Sequence, residues 1–468
     1  MNIRLFRVIR RSGVRSAFLL SACFAVFLMT ILTAASAFAA TVPGSLTFSN
    51  TPLLSPEGQA EPAISLASNG TMAITGPQWL FDPNFFGTHL WIGPFGSTPT
   101  FQGLLDADLQ KPAKHVFGRY DADVDLGSTG TLHATSLIYL MNSALNHAQS
   151  GVSAITCPNG TSLSFNISNC TKKIIDAADS DRPWITSDGP RVWIAYHDPF
   201  GGTLIHVQRS DDDGFTWRRV SDPIPGQGRA TADATFNNQH GPIVADPFTH
   251  NVYIIYTAGE PSIQKGTSAA FNNVFVSRST DFGKTWQAVL VYHAPLFTAL
   301  NNVWPALAVD PTNGKLYAAW CDAHQIFFSS SSDQGSHWSA AATVNIAPAN
   351  TALFPWLAAY NGTVDLVYYA TTFASKDDPN AVWNAYMAQT KNDGTSFTQS
   401  LVSNTVNHVG VVCTNGLACP PPTRNLADLF EVAINPGDGR AAIVYTDDTL
   451  TTDSTGNPLP QIVLAQQQ

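Results

Sequence analysis

The chain reads Ser210-Asp211-Asp212-Asp213-Gly214-Phe215-Thr216-Trp217 just after an apolar segment, and this pattern recurs. Similar stretches follow at 279–286, 331–338 and, in a weaker form, 390–397. Serine and aspartate side chains can bond turn amides, glycine accepts a positive φ, and the aromatic ring can pack beneath the turn. The pattern therefore predicts a recurrent hairpin turn in which three aspartates have structural roles: Asp212, Asp281 and Asp333.

A second pattern divides the chain into units of similar length. A short apolar strand is followed by a tight turn and another apolar strand, as in Arg182-Pro183-Trp184-Ile185 and then 191–196. The anchor positions are 62, 122, 183, 242, 305, 355 and 430, with spacings of 60, 61, 59, 63, 50 and 75 residues. Each unit has room for about four strands of ordinary length. The repeat predicts an all-β propeller of four-stranded blades, with seven blades preferred and six as the alternative.

The turn pattern S-x-D-x-G-x-[ST]-W resembles the Asp box, or BNR repeat, of the sialidase superfamily. Stretches 210–217 and 279–286 match it fully, and the third copy departs only at His337. The resemblance implies a propeller with each box between the third and fourth strands of a blade, away from the ligand. It also implies an exo-α-sialidase-like site, in which three arginines bind the substrate carboxylate, an Asp acts as the acid/base, and a Glu activates a Tyr. The family's Arg-Ile-Pro motif would end at Pro62, but Ala60 and Glu61 precede that proline.

The composition agrees with an exported β-protein. Of 468 residues, 44% are hydrophobic, so the chain can bury a large core, and only 12% are charged. The usual charged share is about 25%. Turn-forming and β-surface residues take the place of the missing charges, which argues against a coiled coil or an acidic disordered chain.

The N-terminus predicts secretion. Five arginines between Arg4 and Arg15 precede an apolar run over 16–35 and an A-x-A site at Ala37-Phe38-Ala39. This pattern predicts a signal peptide over 1–39 and a propeller domain over 40–468. An uncleaved membrane anchor is the alternative, and membrane contact is expected only in that case. Without 1–39, 19 basic residues face 34 acidic ones, a net charge of −15, which excludes a nucleic-acid footprint.

The cysteines also indicate an oxidising compartment. Cys157 with Cys170, and Cys413 with Cys419, bracket turn-rich sequence and are expected to form local disulfides. Cys321 follows an apolar strand and is expected to be a buried, inert thiol. No spacing typical of a zinc site occurs.

Candidate site residues lie around the starts of the predicted innermost strands, where a propeller's central channel opens. Arginine forks pair with carboxylates, and Asp or Glu side chains bond sugar hydroxyls. The candidates for catalysis are Asp121, Asp123 and Glu431. The candidates for ligand binding are Arg119, Arg182, Arg424 and His240.

Asp121, Asp123 and Asp125 share one face of a strand, which leaves three interpretations. Buried carboxylates are normally compensated, so pairing with Arg119 or Arg182 is preferred. A structural calcium held by these oxygens is the second interpretation, and catalysis is the third. No other cofactor is expected, and no residue is assigned to a metal.

Two functions from different classes follow. The first is a secreted sialidase-like glycoside hydrolase that acts on terminal sugars of extracellular glycans. The second is a non-catalytic propeller that binds a glycan or a protein at the cell surface. The Arg, Asp and Glu residues of the channel favour the first function, and the missing first-blade arginine favours the second.

Overall fold

A computed structural model describes residues 37–38 and 40–468, except 80–86, 110–115, 142–147, 163, 179, 199–203, 225–237, 260–270, 296–297 and 301–302. Within these ranges the chain forms seven antiparallel sheets of four main strands each, the blades of a β-propeller. Almost no helix is present among the described residues. The helical turns in the described ranges are 3-10 turns at Ala107–Leu109, Ile167–Asn169 and Gly416–Ala418.

The first four blades follow one another along the chain, each running from its innermost to its outermost strand. Blade 1 comprises Ala63–Leu66, Thr71–Pro77, Thr88–Pro94 and Thr100–Leu104. Blade 2 comprises Val116–Leu126, Leu132–Met141, Ala148–Cys157 and Thr171–Asp176. Blade 3 comprises Asp181–Asp188, Arg191–His197, Ile205–Ser210 and Arg218–Arg219. Blade 4 comprises Asn238–Ala245, Val252–Ala258, Asn273–Ser279 and Gln287–His293.

The last three blades have the same order but also use N-terminal strands. Blade 5 comprises Ala306–Val309, Leu316–Cys321, Ile326–Ser331 and Ala342–Thr343, with Ala37–Phe38 added in parallel. Blade 6 comprises Thr351–Tyr360, Thr363–Thr371, Val382–Thr390 and Ser396–Leu401, with Ala40–Pro43 and the short strand His408–Val409 added. Blade 7 comprises Glu431–Ile434, Ala441–Thr452, Pro458–Gln467 and, from the N-terminal part of the chain, Phe48–Leu53.

The ring is closed by Phe48–Leu53, which forms the outermost strand of blade 7. It pairs antiparallel with Pro458–Gln467, with Leu53 opposite Ile462. The two ends of the described propeller are therefore joined within one sheet. This pairing completes the four strands of blade 7 and joins that blade to the N-terminal part of the chain.

Each predicted anchor lies within an innermost strand or one residue before it, and neighbouring innermost strands contact each other in a closed ring of seven. Seven blades are therefore confirmed, and the six-bladed alternative is wrong. The second strands are largely buried on both faces, because each blade packs against two neighbours. Val252–Ala258, for example, is buried along its whole length.

The recurrent turns lie between the third and fourth strands of blades 3 to 6. In blade 3 the Thr216 amide donates to Asp212 Oδ1 at 2.7 Å, and the Gly214 amide donates to Ser210 Oγ at 2.9 Å. The same bonds recur around Asp281 and Asp333. In the weakest copy an asparagine takes the place of the aspartate, and Asn392 Oδ1 accepts from the Ser396 amide at 3.0 Å.

The expected disulfides Cys157–Cys170 and Cys413–Cys419 are both present, and Cys321 is a buried free thiol. Burial raises the pKa of the Cys321 thiol to about 12, which agrees with an inert side chain. None of the helices in the described ranges has the length and apolar character needed to span a bilayer. The predicted leader lies outside the described residues apart from Ala37–Phe38, so its cleavage stays a prediction.

Candidate functional site at the channel mouth

The side chains at the channel mouth are directed by a break at the start of the innermost strands. In blade 3 the register of the first strand against the second shifts between Asp181 and Trp184, and blades 2, 4 and 6 have similar shifts. Such a bulge turns a side chain out of the normal alternation of a strand. The residue before the anchor has a positive φ in five blades: Glu61 (53°), Asp121 (25°), Arg182 (53°), Trp304 (36°) and Phe354 (55°).

Arg182 is the centre of this arrangement. Its guanidinium lies 3.1 Å from Glu61 Oε1 and 3.0 Å from Asp121 Oδ1, and it also pairs with Asp428. It lies over the ring of Trp304, 4.4 Å from the ring centroid. These partners belong to blades 1, 2, 7 and 5, so side chains from five blades meet at one guanidinium. Only 3% of Arg182 is exposed.

Arg424 extends the cluster from the segment before blade 7. Its Nη2 lies 2.6 Å from Asp428 Oδ2 and 3.9 Å from Glu61 Oε1. Asp428 therefore accepts from two guanidiniums. The third arginine of the predicted set, Arg119, lies in the strand Val116–Leu126, but its side chain is outside the described residues.

The carboxyl groups of the cluster differ in their affinity for protons. Burial raises the pKa of Glu61, Asp121 and Asp181, and the nearby Arg182 only partly offsets this. Burial acts in the same direction on Asp428, but Arg424 and Arg182 outweigh it, and the pKa of Asp428 is lowered. The mouth thus combines carboxyls that tend to keep a proton with one that accepts hydrogen bonds as an anion.

His240 supports the backbone of the cluster. Its Nε2 lies 3.0 Å from the carbonyl oxygen of Arg182, and its ring stacks on His197 with centroids 5.7 Å apart. Burial lowers the pKa of both imidazoles, to about 4 for His197. A neutral, fully buried imidazole beside a carbonyl oxygen is suited to hold Arg182 in place. Contact between His240 and a ligand stays a prediction.

Asp123 and Glu431 occupy a deeper layer, at the position after the anchor. Glu431 Oε2 accepts from the Ile64 amide at 2.9 Å, and Asp123 Oδ2 accepts from the Ile185 amide at 2.8 Å. Each carboxyl therefore binds the innermost strand of the next blade. Burial raises the pKa of Asp123 to about 7 and that of Glu431 well above its usual value. The hydrogen bonds described for both candidates are to backbone amides, and a catalytic role for either stays a prediction.

Two further expectations are changed by these contacts. The preferred pairing of the aspartates with arginine is correct for Asp121, but Asp123 binds backbone amides and Asp125 accepts from Ser187 Oγ at 2.5 Å. Among the described contacts Glu431 has no tyrosine partner, and the Tyr445 hydroxyl donates to Asn50 Oδ1 at 2.9 Å instead. Across the described ranges, no three His, Cys, Asp or Glu side chains are arranged to hold a metal, and the calcium interpretation stays untested.

The sequence interpretation missed the aromatic residues of the channel. Trp304 stacks on Arg182, and Trp184 of blade 3 meets Trp356 of blade 6 with centroids 5.0 Å apart. The signal was present, since Trp184 and Trp356 hold the same place after their anchor prolines. Because Trp184 and Trp356 occupy the same strand position in their blades, both side chains point toward the propeller axis.

No protein-family model and no curated protein sequence matches this chain. Among solved structures, the phage phi92 endosialidase aligns over 90% of this chain and 69% of its own, with 10% identity and a TM-score of 0.50. A fucose-specific lectin from Aleuria aurantia covers 75% and 97%, with 11% identity and a TM-score of 0.44. An α-L-arabinanase from Penicillium chrysogenum covers 90% and 97%, with 12% identity and a TM-score of 0.42. At these identities the likeness concerns the propeller fold alone.

Proposed function

We propose that this chain is an exported β-propeller that binds neutral, hydroxyl-rich glycans at its channel mouth and does not cleave them. Export is supported by the leader pattern over 1–39 and by the two disulfides, which are typical of oxidising compartments. The binding of a glycan is supported by the carboxyl groups and the indole that meet at the mouth.

The observation that carries the proposal is the saturation of Arg182. Its guanidinium already faces carboxyl groups of Glu61, Asp121 and Asp428. A sialic acid carboxylate would have to displace one of these groups and leave it buried without its partner. Breaking a buried ion pair in this way is unfavourable by about 3–5 kcal/mol. The mouth therefore disfavours an anionic sugar.

A neutral sugar suits the same groups. Carboxyls whose pKa burial raises, such as those of Glu61 and Asp121, can accept from a sugar hydroxyl and, when protonated, also donate to one. The half-buried indole of Trp304 adds an apolar face beside them. An apolar face next to a few convergent polar groups is typical of a small-ligand site.

Most glycoside hydrolases use two carboxyls on either side of the scissile bond, about 5–9 Å apart. Glu61 and Asp121 bind the same guanidinium, at 3.1 Å and 3.0 Å, so these two carboxyls do not face each other across an open space for a glycosidic bond. One observation favours the second candidate, a hydrolase: the raised pKa of either carboxyl suits a general acid.

The binding test uses the mature chain from Ala40 on an array of neutral and sialylated glycans, with affinities then measured in solution. Asp181→Asn changes a partly buried carboxyl of the mouth, and Asp377→Asn is the matched change at an exposed ion pair. We expect the first variant to lose about tenfold in affinity for a neutral glycan and the second to bind like the wild type. Equal affinity in all three proteins contradicts binding at the mouth.

The catalytic test uses a fluorogenic α-sialoside and a fluorogenic β-galactoside with the same protein. The proposal predicts no turnover of either substrate. Turnover that disappears in Asp121→Asn would instead establish the hydrolase, with Asp121 as its acid.

A further inference from the structure

The recurrent turns also join neighbouring blades, at the end opposite the channel mouth. Consecutive strands of a blade are antiparallel, so the turn after the third strand lies far from the start of the first. In three blades the residue just before the turn donates to a carbonyl in the next blade's turn. The donors and acceptors are Arg209 to Phe282 O (2.6 Å), Arg278 to Gln334 O (3.0 Å) and Ser330 to Asp393 O (3.2 Å).

Long side chains fill two of these three junctions. Between blades 4 and 5, Arg278 reaches Ser336 Oγ at 3.1 Å and Gln287 Oε1 at 3.4 Å. Between blades 3 and 4, Arg209 pairs with Asp211 at 2.9 Å and lies 5.9 Å from the Phe282 ring centroid. An arginine stem and fork thus occupy the space between the turns.

The junction between blades 5 and 6 has serines at the corresponding places. Ser330 replaces the arginine, and Ser339 stands where blade 4 has Gln287. The Ser330 backbone amide donates to Ser339 Oγ at 3.0 Å, so the short Ser339 side chain lies against the Ser330 main chain and does not extend into the junction. A cavity of about 280 Å³ results, and we name it the blade 5–6 groove.

The lining of the blade 5–6 groove is polar with one aromatic face. It includes Ser330, Ser332, Ser339, Trp338, Lys315 and Asp393. Lys315 Nζ lies 2.6 Å from Asp393 Oδ2, so these charges compensate each other. The indole N–H of Trp338 has no partner among the described residues, whereas Trp217 and Trp286 donate theirs to carbonyls at 2.9 Å.

We propose that the blade 5–6 groove binds one neutral saccharide unit. Its volume lies just below the range of about 300–1,000 Å³ usual for drug-sized ligands, which suits a single sugar ring. Serine hydroxyls can donate to and accept from sugar hydroxyls, and the Trp338 ring offers an apolar face. Asp333 and His337 also line the groove, and His337 Nδ1 lies 2.6 Å from Asp333 Oδ2. Since Lys315 is paired with Asp393 and Asp333 with His337, each charged side chain of the lining already has a partner, which favours a neutral ligand. This site does not depend on any binding at the channel mouth.

The test measures binding of methyl glycosides of galactose, glucose, fucose and N-acetylglucosamine by saturation-transfer NMR and titration. Ser330→Arg restores the side chain that fills the other junctions, and we expect it to weaken binding by about tenfold or more. Thr280→Arg adds the same charge to the exposed turn of blade 4 and is expected to leave affinity unchanged. Ser339→Gln, which introduces the blade 4 residue, is a second filling variant if the first fails to fold.

Two outcomes overturn the proposal: no methyl glycoside binds the wild type, or the filled groove binds as well as the wild type. Asp181→Asn separates the two sites. A sugar whose binding is lost in Asp181→Asn and kept in Ser330→Arg belongs to the mouth. A sugar with the opposite behaviour belongs to the blade 5–6 groove even if the mouth binds nothing.

Discussion

Trp184 of blade 3 and Trp356 of blade 6 are in contact, with ring centroids 5.0 Å apart. These blades are not neighbours in the ring, so the two rings can meet only within the central channel. Leu429 of the segment before blade 7 packs in the same cluster. The channel is therefore filled by side chains at this depth, and its aromatic pair contributes to the packing of distant blades.

Trp184→Ala is expected to lower the free energy of unfolding by about 3–5 kcal/mol, as large-to-small changes of buried aromatics do. The reason is the lost contact with Trp356 and the cavity left on the axis. Denaturant unfolding followed by fluorescence or circular dichroism measures the change. Phe101→Ala removes a ring that is 51% exposed, and we expect a change within about 0.5 kcal/mol. Similar losses in both variants would contradict a packed channel.

Arg182→Met is expected to destabilise the fold by about 3–5 kcal/mol at pH 7.5, because Glu61 and Asp121 lose the cation nearest to them and Asp428 keeps only Arg424. The loss should shrink on acidification to about pH 5, because burial already raises the pKa values of Glu61 and Asp121 and a protonated carboxyl needs less compensation by a cation. Unfolding curves at the two pH values test both statements. Arg218→Met is the control: this arginine is 58% exposed, and its surface pair contributes at most about 1 kcal/mol. A loss that grows on acidification would refute the assigned pairing.

The sequence was sufficient for the repeat and the blade count. Proline and apolar residues at the anchors mark the innermost strands, and their spacing reflects the length of one blade. The closing strand Phe48–Leu53 could not be assigned in this way, since its residues do not specify a partner more than four hundred positions away. Long-range pairing of this kind depends on the ring geometry and not on local pattern.

The candidate site was predictable in composition but not in connectivity. Asp121, Arg182 and Arg424 do converge at the mouth, as the strand starts indicated. The pairing of Arg182 with Glu61 and Asp121 depends on the positive φ that all three residues adopt, and their residue types do not reveal that conformation. Asp123 and Glu431 each lie one residue after an anchor, and their carboxyl oxygens accept from backbone amides of the next blade.

The buried carboxyl of Asp123 predicts a pH dependence of stability. Its pKa is about 7 in the folded protein, against a usual value of 3.8. The folded state thus holds a proton that the unfolded state releases, so this group's contribution falls as pH rises from about 4 to about 7. Asp123→Asn should remove that part of the slope, which is roughly 1.4 kcal/mol per pH unit at most. Asp377→Asn, at an exposed ion pair, should keep the wild-type slope. An unchanged slope in Asp123→Asn would mean that Asp123 is ionised in the folded protein.

The two N-terminal strands on blades 6 and 7 should differ in importance. Phe48–Leu53 supplies the fourth strand of blade 7, and Leu53 is buried in the core shared with blade 1. Ala40–Pro43 is an addition beside Ser396–Leu401, which already completes blade 6.

A chain that lacks 40–53 is expected to unfold or aggregate, because the edge of Pro458–Gln467 is then exposed. A chain that lacks only 40–43 should fold, with a Tm within a few degrees of the mature protein, as expected for about 1 kcal/mol or less. Calorimetry and size-exclusion chromatography of both chains, expressed behind a heterologous leader, make the comparison. Cooperative unfolding of the shorter chain at the wild-type Tm would show that the ring holds without its closing strand.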